Sequence, residues 1–494
     1  MKNQQQQPAN SVMGNYSPLN ENPGEDFDGP IFASVITPDD NDFASISALQ
    51  AQMADGTLTS ADLVTRALAR VAALNEQGPA LKAVIEINAA ALTLAQTLDT
   101  ERAAGTVRGQ LHGIPVLIKD NIDTGDGMQT SAGSLALVGQ AASTDAYIVE
   151  RLRAAGAVIL GKANTSEWMG FRDMAVPEGW SGRGGQTLSA RGKGMPVSGS
   201  SVGSAVGVSA GLATVAVGTE TSGSLIKPAY LSQVVGMRPT HGLLGQSGIV
   251  PLSKSLDTPG PMARNVTDAA ILLDAMFGTG AWSEPPTGVP TEQTDFAGGL
   301  DAAALNGARL GYRSDSPLPS SVVTALENAG ATLVPVELVF PPMFADLFSV
   351  VKHEFKRDLA EYLASRPGIE VKSLADVIAF NTANPLPEEY KQGLLEYAQA
   401  QELEEADYVA AVGRLVSQSR ALIDDALATH NVIALLDQPM GALPAYGANA
   451  GYPGLMVPVP GDSAVPVGLY LGGAQWSDQL LLSLGLGFER SLSE

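Results

Sequence analysis

The chain has 494 residues, of which 45% are hydrophobic, enough to bury a large core. It contains no cysteine, which excludes disulfides, thiolate metal sites and cysteine nucleophiles. Its 29 basic and 52 acidic residues leave a formal charge of −23, which repels phosphate backbones and argues against nucleic acid as a direct partner.

Residues 1–30 are rich in Gln, Asn, Pro and acids, with no apolar stretch behind the single Lys2, and read as a mobile polar arm rather than a secretion signal. Residues 31–494 read as one domain. No apolar run approaches the length of a membrane span, so a cytoplasmic location is expected unless a signal has been removed. From Thr59 to Leu74 the apolar positions fall on one helical face, with Thr59 and Asp62 as an N-terminal capping pair. AVIEIN (83–88) and IPVLI (114–118) read as strands with a helix between them. DAYIVERLRAAG then reads as a helix and AVILG as a strand. Helix and strand alternate every ten to fifteen residues, which predicts an α/β fold with one large, mixed but mostly parallel sheet covered by helices on both faces.

Between Phe171 and Ser204 the periodicity gives way to Gly, Ser and Arg, marking a long loop of the kind that usually carries function. A tight helix of small residues (203–213), the strand ATVAV and the extended VVGMRPT follow. Residues 342–430 change to long charged helical periodicity, an insertion before the strand-like VIALL (432–436), LMVPV (455–459) and VPVGLYL (465–471).

Two serine motifs compete. GSSVG (199–203) matches GxSxG and would make Ser201 a hydrolase nucleophile with Asp425 and His430 as partners, but ARGKGMPVS before it is no apolar strand. In GTETSGSLIKPA (218–229), Thr221, Ser222, Gly223 and Ser224 set small residues where backbone N–H groups can converge on an oxyanion. An ordinary strand-to-helix turn fits the same letters. Lys119 ends an apolar run, where desolvation would free its amine as a base; pairing with Asp120 or Asp123 is the competing reading. The four histidines show no ligand spacing, so no metal and no cofactor is expected. Trp168, Phe171 and Trp180 are either pocket or core aromatics.

Together the blocks LHGIPVLIKDNIDT, TSAGS, SGSSVGSAVGVSAGLATVAVGTETSGSLIKPAYLSQVVGMRPTHGLL, SLDTPGPMARNVTDAA and AGYPGLMVPV resemble the amidase signature family over roughly residues 45–490. SEW, GWSGRGGQT and GTET look most like its bacterial peptide amidases. The resemblance implies a triad of Lys119, Ser200 and nucleophilic Ser224, with an oxyanion turn at Thr221, Ser222, Gly223 and Ser224. It also implies a cis bond between Gly199 and Ser200, which without proline costs about 2.5–4 kcal/mol. Ser201 would support Lys119, and Ser131 would lie near the triad. Val202, Ser222, Ile226 and Lys227 depart from the family pattern and bear on substrate preference. The implied activity is hydrolysis of linear amides, with esters and carbamates as further substrates, by a monomer or homodimer using water as co-substrate. The alternative is the A-type subunit of a tRNA-dependent amidotransferase.

Overall fold

The computed structural model describes residues 39–280, 288–290, 294–461 and 464–493. The arm expected at 1–30 lies outside them. Among the described residues thirteen strands follow in chain order. They are β1 (Val84–Ile87), β2 (Pro115–Lys119), β3 (Val158–Ala163), β4 (Trp180–Ser181), β5 (Gly185–Gln186), β6 (Val215–Glu220) and β7 (Val235–Arg238). Then come β8 (Thr258–Ala263), β9 (Arg309–Arg313), β10 (Thr332–Val336), β11 (Ala434–Asp437), β12 (Gly454–Val459) and β13 (Val467–Gly472).

One sheet takes 11 of these strands in the order β1-β3-β2-β6-β8-β7-β12-β13-β11-β9-β10, while β4 and β5 form a separate ribbon. β2 pairs in parallel with β3 and β6, and β9 with β10 and β11. The middle of the sheet, from β6 through β8, β7, β12 and β13 to β11, is antiparallel. That middle is larger than helix–strand alternation suggests, because β8 inserts antiparallel between the helix-linked β6 and β7, and β13 does the same between the helix-linked β11 and β12. β12 and β13 are linked only by residues 460–466, too short for a parallel crossover.

The capping pair forms as a reciprocal box: Asp62 N–H donates to Thr59 Oγ1 at 3.0 Å and Thr59 N–H to Asp62 Oδ2 at 3.0 Å, opening a helix over Ser60–Arg70. Between β10 and β11 the chain runs through helices Phe344–Ala364, Leu374–Ala383, Gly393–Gln399 and Glu405–His430, which share an apolar cluster with Leu137, Trp168, Phe171, Val250 and Leu256. Among the described residues no helix is long and apolar enough to cross a membrane.

β2 is buried on both faces: Val116 and Ile118 join one core, Leu117 the other. Lys119 shares the face of Leu117, because side chains alternate along a strand. The helix Val202–Ser209 packs on that same face, among Val202, Ala205 and Val206. Its small residues make the approach possible, since a Cβ on Gly207 would sit 2.6 Å from Leu117 Cδ1 and one on Gly203 only 2.4 Å from Asn164 N. This close packing lays Ser200 and Ser201, just before the helix, against the end of β2.

Candidate active site

Lys119 is fully buried, and its Nζ lies 2.7 Å from Ser200 Oγ, 2.9 Å from Ser201 Oγ, 2.9 Å from Thr219 Oγ1 and 3.2 Å from the Thr219 carbonyl. It pairs with neither Asp120 nor Asp123. Burial pushes its pKa down to about 7, against the upward pull of Asp257 and Glu220. Asp120 instead receives Arg183 at 2.7 Å, Gly133 N–H at 3.0 Å and the Ser131 hydroxyl. Ser131 thus holds the loop beside Lys119 through Asp120 and does not itself bond Lys119, Ser200 or Ser224. Asp123 is bound by Arg366 at 2.7 Å and Tyr362 at 2.8 Å. A second buried lysine, Lys162, bonds the Ile122 carbonyl and, at 2.8 Å, Thr130 Oγ1. Its pKa falls to about 8 through burial, opposed by Asp120 and Asp123. Lys162 therefore stands in the carboxylate environment that the competing reading assigned to Lys119.

The hydroxyls around Lys119 have defined directions. Ser201 donates to the Thr219 carbonyl at 2.9 Å and accepts Thr219 N–H at 3.1 Å, so toward Lys119 it can only accept. The Thr219 carbonyl can only accept as well. A neutral amine has two N–H bonds to give, and these two acceptors can take them. Its lone pair is then left for a hydroxyl donor, and the nearest is Ser200.

Ser224 is half-buried, on the turn between β6 and the helix Ile226–Ser232. Ser200 N–H donates to Ser224 Oγ at 3.3 Å, and Ser201 N–H to the Ser224 carbonyl at 3.3 Å. The expected cis bond is not found: among the described residues every peptide is trans. Gly199 makes the reversal by its backbone instead, with φ +80°, and a Cβ there would meet Pro228 Cδ at 2.5 Å.

The turn itself is braced from outside. Glu220 Oε2 accepts Leu225 N–H at 2.7 Å and Ile226 N–H at 3.2 Å, Thr221 Oγ1 donates to Asp257 at 2.5 Å, and Gly223 takes φ +81°. Burial raises Asp257 to about pKa 6. Among the described residues, the N–H groups of Thr221, Ser222, Gly223 and Ser224 donate to no protein acceptor. Lys227 lays its stem over Gly223, where a Cβ would meet Lys227 Cε at 2.9 Å.

Ser201 is fully buried and committed to Lys119 and Thr219, so it has no free path to a substrate carbonyl or to a histidine. The Asp425 and His430 of the GxSxG reading belong to the helix Glu405–His430, whose last carbonyl is held by Arg309 at 3.3 Å. Trp168, Phe171 and Trp180 are core: Trp168 and Phe171 pack edge-on against Phe355, and Trp180 stacks on Tyr390 at 4.0 Å. Sequence reasoning missed Thr219 and Glu220 as site-building residues, although both lie inside the GTET motif. It quoted Asp257 within SLDTPG without a role.

Ser201→Ala leaves one N–H of Thr219 and one of Lys119 without their acceptor. The expected result is a loss of about 1–3 kcal/mol in stability and a fall of roughly ten- to a hundredfold in kcat/KM from misplacement of the amine. Urea unfolding and steady-state kinetics read the two effects separately.

A sequence profile of the family described as Amidase matches residues 62–435, a span holding Lys119, Ser200 and Ser224. A probable amidase of Arabidopsis thaliana is 36% identical over 466 residues, covering 91% of this chain and 90% of that protein. The solved peptide amidase of Stenotrophomonas maltophilia superposes with a TM-score of 0.85 at 41% identity, over 91% of this chain and 97% of that one. A glutamyl-tRNA(Gln) amidotransferase subunit from Chloroflexus aurantiacus is 30% identical over 485 residues, 90% of this chain and 96% of that protein. The chain belongs to the amidase family, hydrolases of carbon–nitrogen amide bonds.

Proposed function

We propose that this chain is a serine amidohydrolase for linear amides, with the terminal carboxamide of a peptide as its preferred substrate class. The observation that carries the reading is the surroundings of Lys119: a buried amine among hydroxyls and a carbonyl, without an ion-pair partner among the described residues. Such an amine is about half neutral at pH 7, and in that form it can accept a proton. Ser224 Oγ attacks the amide carbonyl while its proton passes to Ser200 Oγ and the Ser200 proton to Lys119. The carbonyl oxygen becomes an oxyanion facing the N–H groups of residues 221–224. When the tetrahedral intermediate collapses, the C–N bond breaks and the proton returns from Lys119 through Ser200 to the departing nitrogen, since an amide anion leaves poorly. Water then attacks the acyl-Ser224 ester by the same relay and releases the acid. These steps need no metal or cofactor. We place the enzyme in the cytoplasm, as a monomer or homodimer with no nucleic-acid partner.

Turnover of a panel of purified compounds by the chain alone tests this: a peptide carboxamide, an acyl anilide, an ester and an aryl carbamate, beside a Ser224→Ala control. The expected order has the peptide carboxamide first, with all turnover lost in the control. The 30% identity to an amidotransferase component supports a second reading, in which the chain releases ammonia to a partner. In that case free glutamine, added to the panel, would be the one amide hydrolysed.

A further inference from the structure

Arg238, the last residue of β7, is 1% exposed, yet its guanidinium meets mostly backbone carbonyls. Nη1 donates to the Glu220 carbonyl at 3.0 Å and reaches the Thr221 carbonyl at 3.5 Å. Nη2 donates to the carbonyls of Leu256 at 2.6 Å and Ala448 at 3.3 Å. The nearest carboxylate oxygen, Glu220 Oε1, stands 3.7 Å from Nη1 and has no hydrogen-bond partner among the described residues. A buried cation solvated by carbonyls, with a carboxylate only at the edge of contact, is an expensive way to end a strand. Apolar side chains could fill the same volume at less cost. The two carbonyls under Nη1 are the ones that enter the turn before Ser224.

A trans peptide points its C=O and N–H in opposite directions. Holding the Glu220 carbonyl therefore aims the N–H of Thr221 away from Arg238, and holding the Thr221 carbonyl does the same for Ser222. These two N–H groups have no protein acceptor among the described residues. Glu220 fixes the other end of the turn through Leu225 N–H and Ile226 N–H, and Arg238 lies against Glu220 as well. A cation on the carbonyl side also polarises each peptide so that its N–H becomes a stronger donor.

We propose that Arg238 is a positioning residue for the oxyanion turn: by gripping the Glu220 and Thr221 carbonyls from behind, it presents the Thr221 and Ser222 N–H groups to the charge that develops on the substrate carbonyl. The inference rests on the serine mechanism proposed above and adds to it a residue that never touches substrate. Arg238 would then act only when the oxygen becomes an anion. Its loss should leave ground-state binding alone and weaken whatever carries an oxyanion.

The test uses Arg238→Met, which keeps much of the volume and removes the donors, and Arg238→Lys, which keeps the charge and one point of contact. With a peptide carboxamide, Arg238→Met should lower kcat by about ten- to a hundredfold, less than the roughly 10²–10³ for outright removal of an oxyanion donor because the donors stay in place and lose only their orientation, with KM changed less than about twofold. Inhibition by a peptide aldehyde, whose carbonyl oxygen takes the oxyanion position when Ser224 adds to it, should weaken by the same factor as kcat/KM. Binding of the carboxamide to Ser224→Ala and to Ser224→Ala/Arg238→Met, read by calorimetry, should agree within about twofold. Arg238→Lys should recover part of the loss in kcat and in aldehyde affinity together.

A purely structural role would instead lower the melting temperature and the active fraction, leaving the kcat per active site and the aldehyde affinity of the folded enzyme at wild-type values. That result overturns the inference, as does a loss confined to KM. If Arg238→Met does not fold, Arg238→Lys decides by the same parallel between kcat and aldehyde affinity. A wild-type chain without amide turnover, or turnover that survives in Ser224→Ala, removes the serine mechanism and this inference with it. Wild-type turnover matched by a folded Arg238→Met removes this inference alone.

Discussion

Ser224→Ala abolishes amide hydrolysis: kcat is expected to fall by on the order of 10⁵–10⁶, the scale seen when the nucleophile of a serine hydrolase is removed. Stability should change by only about 1 kcal/mol, because Ser224 is half-buried and its hydroxyl oxygen accepts a single N–H, from Ser200 at 3.3 Å. Binding of a peptide carboxamide should persist, since the pocket and the turn keep their bracing from Glu220, Asp257 and Arg238. Steady-state kinetics with calorimetric titration of the same substrate separates the two effects. Loss of binding in parallel with loss of turnover would mean that the alanine had disrupted the turn rather than removed a nucleophile.

Lys119→Met is the second large effect, and it has opposite signs for activity and stability. Activity of the wild type should rise with pH through about 7, as the buried amine loses its proton and becomes a base. The variant loses that limb of the profile and about a thousandfold or more of kcat/KM. Stability moves the other way. In the unfolded chain the lysine keeps its proton up to about pH 10.4, whereas the folded chain releases it near 7, so between these values the unfolded state binds more protons and wild-type stability climbs with pH. Below pH 7 the folded chain bears the full cost of burying the cation. Lys119→Met removes that cost, so it should be more stable than wild type by about 1–4 kcal/mol at pH 6, with the difference shrinking toward pH 10. Urea unfolding of both proteins at several pH values measures it; a variant less stable at pH 6 would contradict the burial of a charge-shy lysine.

The site was legible in the sequence to different depths. The strand carrying Lys119 showed as IPVLI, the helix of small residues after Ser201 as a run of Gly, Ala, Val and Ser, and the turn at Ser224 as GTETSGS. What no spacing could decide was which carboxylates Lys119 would meet. Asp120 and Asp123 are its neighbours in sequence, but Asp120 pairs with Arg183, 63 residues on, and Asp123 with Arg366, 243 residues on. Those partners exist only once the hairpin holding Arg183 and the helix before Arg366 have folded back. The bracing of the turn before Ser224 was hidden for the same reason, since Asp257 and Arg238 reach it across the sheet. The antiparallel middle of the sheet was equally opaque, because a strand's apolar run looks alike whichever way its neighbour runs. The loop aromatics stayed undecided between pocket and core: the partners that bury Trp168, Phe171 and Trp180 are Phe355, on the helix Phe344–Ala364, and Tyr390, in the loop before Gly393–Gln399.

The serine mechanism is tested most directly by trapping its covalent intermediate. Mixing the wild-type chain with an activated acyl ester, quenching in acid within the first turnovers and mapping the digest by mass spectrometry should find one acyl group per chain, on the peptide carrying Ser224, with none in Ser224→Ala. An acyl group on Ser201 or Ser200 in the wild type would contradict it, as would rapid turnover that yields no acylated chain on quenching and no hydroxamate when hydroxylamine is added.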